Sequence, residues 1–123
     1  MIVEGDEISE MLLRKVVKSF GNETLHARTG TEAVEASRKN SDFDLILMDI
    51  KMPDLIGHDA TKQIRQFNEK VVIIAQTAYG LINDRKKAIE SGCNDYISKP
   101  IMKDQLIAMM RKYFKIQEEE GRW

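Results

Sequence analysis

The sequence has a single cysteine, Cys93, only two prolines, and no long apolar run. One cysteine cannot form an internal disulfide, so nothing in the chain demands an oxidising compartment, and a reducing cytoplasm is the expected setting. No charged segment followed by an apolar stretch opens the chain as a secretory signal would. The longest unbroken apolar runs, such as Val71 to Ala75, fall far short of the roughly 20 residues that span a bilayer, which excludes a membrane crossing. Charge of one sign is also missing: nineteen Lys and Arg stand against twenty Asp and Glu, for a net charge of −1. No global basic field therefore draws the protein onto nucleic acid or an anionic membrane. There is no internal repeat, Pro-rich linker or low-complexity tract, and Glu118-Glu119-Glu120 reads as a solvated terminus.

What is present is the material for one domain. A chain of 123 residues, 42% hydrophobic and 32% charged, suits one compact α/β-sized unit with a full core and has no room for a second. Leu45-Ile46-Leu47-Met48 and Val71-Val72-Ile73-Ile74-Ala75 are continuous apolar runs, the signature of strands buried on both faces. Helical spacing appears from Ile8 to Phe20, where Ile8, Leu12, Leu13, Val16, Val17 and Phe20 form one stripe stopped by Gly21-Asn22. A weak strand over Thr24 to Ala27 precedes a helix from Thr31 to Lys39, opened by Gly30-Thr31 and ended by Asn40-Ser41. Lys51 to Asp54 is a turn, and a helix from Gly57 to Phe67 is expected to bury Ala60, Ile64 and Phe67. A more polar helix over Asn83 to Ser91 closes at Gly92, Tyr96-Ile97 is a short strand, and a last helix from Lys103 to about Ile116 carries Leu106, Ile107, Met110 and Phe114.

Strand and helix alternate five times. Such alternation forces right-handed crossovers, so the expected fold is a doubly wound parallel sheet with helices on both faces. Only Met1, Ile2 and Val3 precede Glu4, fewer than the usual five or six residues of a strand, and a chain that begins earlier in nature is the expectation.

In an open parallel sheet the ligand lies outside the carboxyl ends of the strands. The residues following the strands here are Glu4-Gly5-Asp6-Glu7, Arg28-Thr29, Asp49, Gln76-Thr77 and Ser98-Lys99-Pro100. Carboxylates from neighbouring strands meeting in one crevice repel unless a cation or a proton lies between them. Hard oxygen ligands suit Mg²⁺, which takes one or two carboxylates with waters and phosphate oxygens. A carboxylate beside it can act as a nucleophile and form an aspartyl-phosphate, with a lysine and a hydroxyl gripping the phosphoryl oxygens. The same residues equally suit helix caps and surface charges: Asp6 before Ile8 and Asp54 before Gly57 are both good N-cap candidates.

Motifs separate these alternatives. The run Asp44-Leu45-Ile46-Leu47-Met48-Asp49-Ile50-Lys51-Met52-Pro53-Asp54-Leu55-Ile56-Gly57 resembles the phosphoacceptor segment of two-component response regulator receiver domains. Ile73 to Ala78 resembles the family's fourth strand with its switch threonine, and Gly92 to Pro100 its fifth strand and Lys-Pro turn. The resemblance spans nearly the whole chain and implies a flavodoxin-like sheet of order 2-1-3-4-5, with a receiver domain over 1–117 and a tail over 118–123. It implies that Asp49 is the phosphoacceptor, Thr77 the hydroxyl that follows the phosphoryl group, Lys99 its cationic partner and Tyr96 the aromatic switch. It also implies Mg²⁺ held by Glu4, Asp49 and the Lys51 backbone carbonyl, with Asp6 a further candidate, and a cis peptide between Lys99 and Pro100. The implied donor is a sensor histidine kinase or a histidine phosphotransfer domain, with a downstream protein partner reading the switched face and no nucleic acid or membrane involved. Cys93 reads as a small buried hydrophobe, and neither His26 nor His58 lies in a motif that gives it a phosphotransfer role.

One position departs from the family. Its two adjacent acids after the first strand fall on Glu4 and Gly5, and Gly5 offers no side-chain ligand. A pseudo-receiver, an interaction module that no longer cycles phosphate, is the rival that this glycine supports. A phosphatase working through an aspartyl-phosphate is disfavoured, because the second acid it needs two residues beyond the nucleophile is Lys51 here. Without an output domain the chain is expected to be either a stand-alone receiver or a segment of a hybrid kinase. A phosphoacceptor role, rather than turnover of a separate substrate, is the expectation.

Overall fold

The computed structural model describes residues 1–3, 11, 13–15, 18, 26–40, 44–50, 57–77 and 82–113. Among these residues five strands form one sheet: β1 (Ile2–Val3), β2 (His26–Ala27), β3 (Leu45–Asp49), β4 (Val72–Thr77) and β5 (Asp95–Ser98). Their order is β2-β1-β3-β4-β5, and every neighbouring pair is parallel. Helices cover Gly30–Lys39, Gly57–Arg65, Ile82–Ser91 and Lys103–Tyr113, and residues 11, 13–15 and 18 are also helical. This is the doubly wound, flavodoxin-like architecture that strand and helix alternation imposes. The 24–25 part of the expected second strand, the turn at 51–54 and the tail at 118–123 lie outside the described residues.

The two apolar runs are unbroken because both of their faces are covered. Successive side chains of a strand point to opposite faces. Ile46, Met48, Ile73 and Ala75 accordingly join one cluster, with Ala33 and Val34 of the 30–39 helix, Ala60 and Ile64 of the 57–65 helix, and Ala88 of the 82–91 helix. Leu45, Leu47 and Ile74 join the other with Leu13, Ile97, Leu106 and Met110. Cys93 is buried in the first cluster, and desolvation pushes its thiol pKa up, so it behaves as the small hydrophobe expected.

Local signals set the element ends. Thr29 caps the 30–39 helix, its Oγ1 accepting from the Glu32 amide at 3.1 Å, while Glu32 Oε2 accepts from the Arg28 amide at 2.7 Å. The helix therefore begins one residue before the expected Thr31. The 57–65 helix ends earlier than expected, at Arg65, and Phe67 is 40% exposed rather than buried. Its last turn tightens as the Phe67 amide bonds the Ile64 carbonyl at 3.1 Å, so helical spacing no longer carries position 67 inward, and the Arg38 guanidinium lies 5.7 Å from the ring centroid.

Arg65 ties the amino ends of β4 and β5 together. Its Nε donates to the Gly92 carbonyl at 2.8 Å, Nη1 to the carbonyls of Val71 at 2.8 Å and Asn68 at 3.2 Å, and Nη2 to Asn94 Oδ1 at 2.8 Å. Asn94 Oδ1 also accepts from the Ile73 amide at 2.8 Å, and the Asn94 amide donates to the Ile73 carbonyl at 2.8 Å. Gly92 has φ +114°, where a side chain would be strained, and a Cβ there would come within 2.8 Å of Arg65 Cγ. No helix among the described residues is long and apolar enough to cross a membrane.

At the other side of β5, Tyr113 of the last helix donates to Asp95 Oδ2, a contact of 3.0 Å, and desolvation followed by the Asp95 carboxylate pushes its phenol up to about 12. Below its ordinary value the phenol is protonated in both folded and unfolded chains and the contact is intact. As the pH rises beyond about 10 the unfolded chain releases this proton first, so the stability from Tyr113 falls between about pH 10 and about pH 12. Urea unfolding followed by circular dichroism over this range should show a slope that Tyr113→Phe removes, and the variant should be less stable near pH 8 by about 0.5–1.5 kcal/mol. Identical slopes in both proteins would show that the Asp95 contact does not perturb the phenol.

Candidate functional site

Chemistry concentrates at the carboxyl ends of β3, β4 and β5, where the apolar pattern gives way to Asp49, Gln76-Thr77 and Ser98-Lys99. Asp49 is the last residue of β3 and only 6% exposed. A carboxylate buried to that degree needs a partner, and Lys99 Nζ lies 3.0 Å from Asp49 Oδ2. Lys99 is brought there from immediately after β5, its amide donating to the Thr77 carbonyl at 2.7 Å. The Lys99–Pro100 peptide bond is cis. The two residues are fifty positions apart, so their meeting is a product of sheet register rather than of local sequence.

The Asp49 backbone is fixed from the far side by Gly57. The Gly57 amide donates to the Ile50 carbonyl at 3.0 Å, and a Cβ on Gly57 would overlap the Asp49 carbonyl oxygen and sit 2.8 Å from Ile50 Cα. Only glycine lets the start of the 57–65 helix approach the end of β3 this closely. The Ile50 amide in turn donates to the Gln76 carbonyl at 3.1 Å, continuing the β3–β4 ladder past Asp49.

Thr77 ends β4 and is 3% exposed. It lies two residues beyond Ala75, whose register partner is Tyr96, so Thr77 and Tyr96 lie on the same face of the sheet, the one covered by the 82–91 helix. Tyr96 is half-buried against that core, with the Arg85 guanidinium 5.7 Å from its ring centroid. Asp49 belongs to the opposite face by strand parity, with Leu45 and Leu47.

Gln76 is a residue to which sequence reasoning gave no role beyond its place at a strand end. It is 0% exposed, and neither its Oε1 nor its Nε2 has a hydrogen-bond partner among the described residues. A polar residue closing an otherwise apolar strand was the signal available. His58 Nδ1 lies 3.3 Å from Ser91 Oγ, a contact between the 57–65 and 82–91 helices.

Of the residues named for a metal, Asp49 is described, while Glu4, Asp6 and Lys51 lie outside the described residues, as does Gly5. Among the described residues no group of three or more His, Cys, Asp and Glu could hold a metal ion. The register places Val3 opposite Met48, one residue before Asp49, and Glu4 is the next residue in the chain after Val3. The described geometry, a desolvated carboxylate, an ammonium 3.0 Å away and a hydroxyl residue ending the neighbouring strand, can hold a tetrahedral oxyanion against the carboxylate.

The response regulator receiver domain family model matches residues 1–111. The polar-differentiation response regulator DivK of Brucella ovis is 36% identical over 115 residues, covering 92% of this chain and 93% of that protein. The receiver domain of the sensor histidine kinase PA1611 from Pseudomonas aeruginosa, solved with a magnesium ion coordinated in its active site cleft, is similar with a TM-score of 0.79 and 31% identity, covering 91% of this chain and 93% of that one. A chain in the co-crystal structure of the Saccharomyces cerevisiae histidine phosphotransfer signaling protein Ypd1 with the receiver domain of its downstream response regulator Ssk1 is similar with a TM-score of 0.85 and 32% identity, covering 94% of this chain and 88% of that one.

Because the Gly57 contact is with backbone atoms, which cannot swing aside, Gly57→Ala should destabilise the fold by about 1–3 kcal/mol or more through overpacking. Urea unfolding measures the loss, and amide chemical shifts of Asp49 and Ile50 should move with it. A variant as stable as the parent with unmoved shifts would show that the helix start does not press on the end of β3.

Proposed function

The chain belongs to the response regulator receiver domain family of two-component signalling, and from that premise we propose that it accepts a phosphoryl group from a phosphohistidine donor onto Asp49 and signals by switching a partner-binding face. The observation that carries this reading is the buried Asp49 carboxylate paired with Lys99 at 3.0 Å where β3 and β5 end. An Asp49 carboxylate oxygen bonds to phosphorus as the bond from phosphorus to the donor imidazole breaks, and that electron pair returns to the imidazole nitrogen. The Lys99 ammonium then follows the charge from the carboxylate to the phosphoryl oxygens, and the Thr77 hydroxyl donates to one of them. Movement of Thr77 frees space beside Tyr96 on the same face, and a new Tyr96 rotamer changes the surface formed with the 82–91 helix.

The donor chemistry fits Mg²⁺: an all-oxygen set of the Asp49 and Glu4 carboxylates and the Lys51 carbonyl, with Asp6 as a further candidate. When bound, the ion offsets the negative charge that gathers around the phosphoryl oxygens. The donor protein is a sensor histidine kinase or a histidine phosphotransfer domain, which the likeness to the Ypd1–Ssk1 co-crystal chain supports. The pseudo-receiver reading keeps one specific observation in its favour, Gly5 where the family has its second acid.

Treatment with acetyl phosphate and Mg²⁺ should add one phosphoryl group by intact-protein mass, and Asp49→Asn should abolish the adduct because an amide is no nucleophile here. An adduct surviving in Asp49→Asn would move the role to another carboxylate, and no adduct in the parent would leave the pseudo-receiver standing. Restoring the missing acid bears on the same choice. Gly5→Asp should tighten Mg²⁺ binding by calorimetric titration, since it adds a hard oxygen ligand beside Glu4; an unchanged affinity together with loss of binding in Asp6→Ala would assign that ligand to Asp6.

A further inference from the structure

Gln76 stands out energetically. Its side chain is 0% exposed, and both ends of its carboxamide lack a partner among the described residues. Leaving a buried donor or acceptor unpaired costs the full desolvation of that group, whereas an apolar residue of the same shape would cost nothing comparable. Val72 through Ala75 supply such apolar residues along the rest of β4. An amide in this position calls for a partner that the resting arrangement withholds.

Register says where that partner is. Gln76 pairs with Asp49 on one side and Ile97 on the other. Directly paired residues of adjacent strands point to the same face. Asp49, Gln76 and Ile97 therefore form one row on the sheet face that carries Leu47 and Ile74, and Lys99 follows two residues beyond Ile97. In the resting protein Lys99 Nζ occupies Asp49 Oδ2.

We propose that Gln76 is a positioning residue for Asp49, its Nε2 amide donating to the Asp49 carboxyl oxygen, directly or through one buried water, once Lys99 leaves that oxygen for the phosphoryl group. The proposal rests on the phosphoacceptor reading of Asp49. Charge explains the exchange of donors. Formation of the acyl phosphate turns the remaining carboxyl oxygen into a neutral carbonyl, while the added negative charge resides on the phosphoryl oxygens. The ammonium follows the charge, and the carbonyl is left to a neutral donor. A buried carboxamide is such a donor, and the site is enclosed enough that water does not compete freely.

A consequence for lifetime follows. In hydrolysis the oxygen of water bonds to phosphorus, the bond between phosphorus and the Asp49 oxygen breaks, and its electron pair returns to the carboxyl group, releasing inorganic phosphate. Negative charge builds on the carboxyl group as that bond breaks, and a hydrogen bond to its other oxygen stabilises it. Gln76 therefore shortens the life of the phosphorylated state.

The test uses the full chain and acetyl phosphate with Mg²⁺. Gln76→Met keeps the length of the side chain and removes its polar atoms, so it should fold with equal or greater stability. Its acyl phosphate, followed by intact mass after the donor is removed, should last about two- to tenfold longer than the parent's, the effect of one neutral hydrogen bond. The Gln76 side-chain amide resonances of the parent should move on phosphorylation, which a purely structural amide would not show. A second arm needs no phosphate: Lys99→Ala removes the ammonium from Asp49 Oδ2, and the Gln76 amide protons should shift downfield. Equal lifetimes in Gln76→Met and parent, or Gln76 resonances indifferent to Lys99→Ala, would overturn the proposal. A parent that takes up no phosphoryl group would instead sink the phosphoacceptor reading, with the Lys99→Ala arm still deciding the contact between Gln76 and Asp49.

Discussion

A carboxylate held in the mouth of a parallel sheet is the constraint on which the rest of this structure depends. Asp49 is only 6% exposed, and the Lys99 ammonium lies 3.0 Å from its carboxylate. Lys99 itself is a third exposed at its side chain, so it can leave for a new anion without stranding its own charge in the core. The pair is asymmetric by design of the fold: the acid is fixed by strand and ladder, and the base is on a long stem able to move. Gly57 contributes to the fixed half by admitting the next helix directly against the Asp49 and Ile50 backbone.

That precision at one end of the sheet depends on the other end. Asp49, Gln76 and Ile97 come level only if β3, β4 and β5 keep their register, and a slip of one residue would send each side chain to the opposite face. Arg65 works against a slip from beneath. Its guanidinium joins carbonyls on both sides of the β4 and β5 entrances and reaches Asn94, which itself bonds both amide and carbonyl of Ile73. Arg65 lies about as far from the reactive end as the strands allow, and its pKa is lowered by the burial that this bracing requires.

The parts of the fold legible in the sequence are those where one signal dominates. Leu45 to Met48 and Val71 to Ala75 are apolar at every position because both faces are covered, and strict alternation with helices leaves a parallel sheet as the outcome. Asp49, Thr77 and Lys99 were legible as strand-end residues and then as motif positions. Phe67 is exposed because helical spacing does not continue past Arg65, where a tightened last turn and the bond from the Arg65 guanidinium to the Asn68 carbonyl redirect the chain. Gly57 was legible as the end of the motif and the start of a helix, but not as the residue that lets that helix press on the Asp49 and Ile50 backbone. Arg65 carried no sequence signal, since its importance arises from backbone atoms as far off in the chain as Gly92. Gln76 was visible as a polar residue, but its isolation is a property of what surrounds it in three dimensions.

The alternation of side chains across the sheet also constrains how the site can speak to the surface. Asp49 and Gln76 belong to one face, with Leu47 and Ile74, whereas Tyr96 and the 82–91 helix belong to the other. Along β3 and β4 the sheet between them consists of buried apolar residues, Leu45 to Met48 and Ile73 to Ala75. Under the phosphoacceptor reading, a charge that appears at Asp49 must therefore pass around the end of a strand rather than through the sheet. Thr77 stands at that end, following Gln76 in the chain and sharing a face with Tyr96. Under that reading the adjacent pair Gln76-Thr77 addresses the two faces from a single strand terminus, and one residue would bear on the life of the acyl phosphate and the next on its transmission. Changes at Gln76 and at Thr77 should on this account separate duration of the signal from its strength, although only one peptide bond divides them.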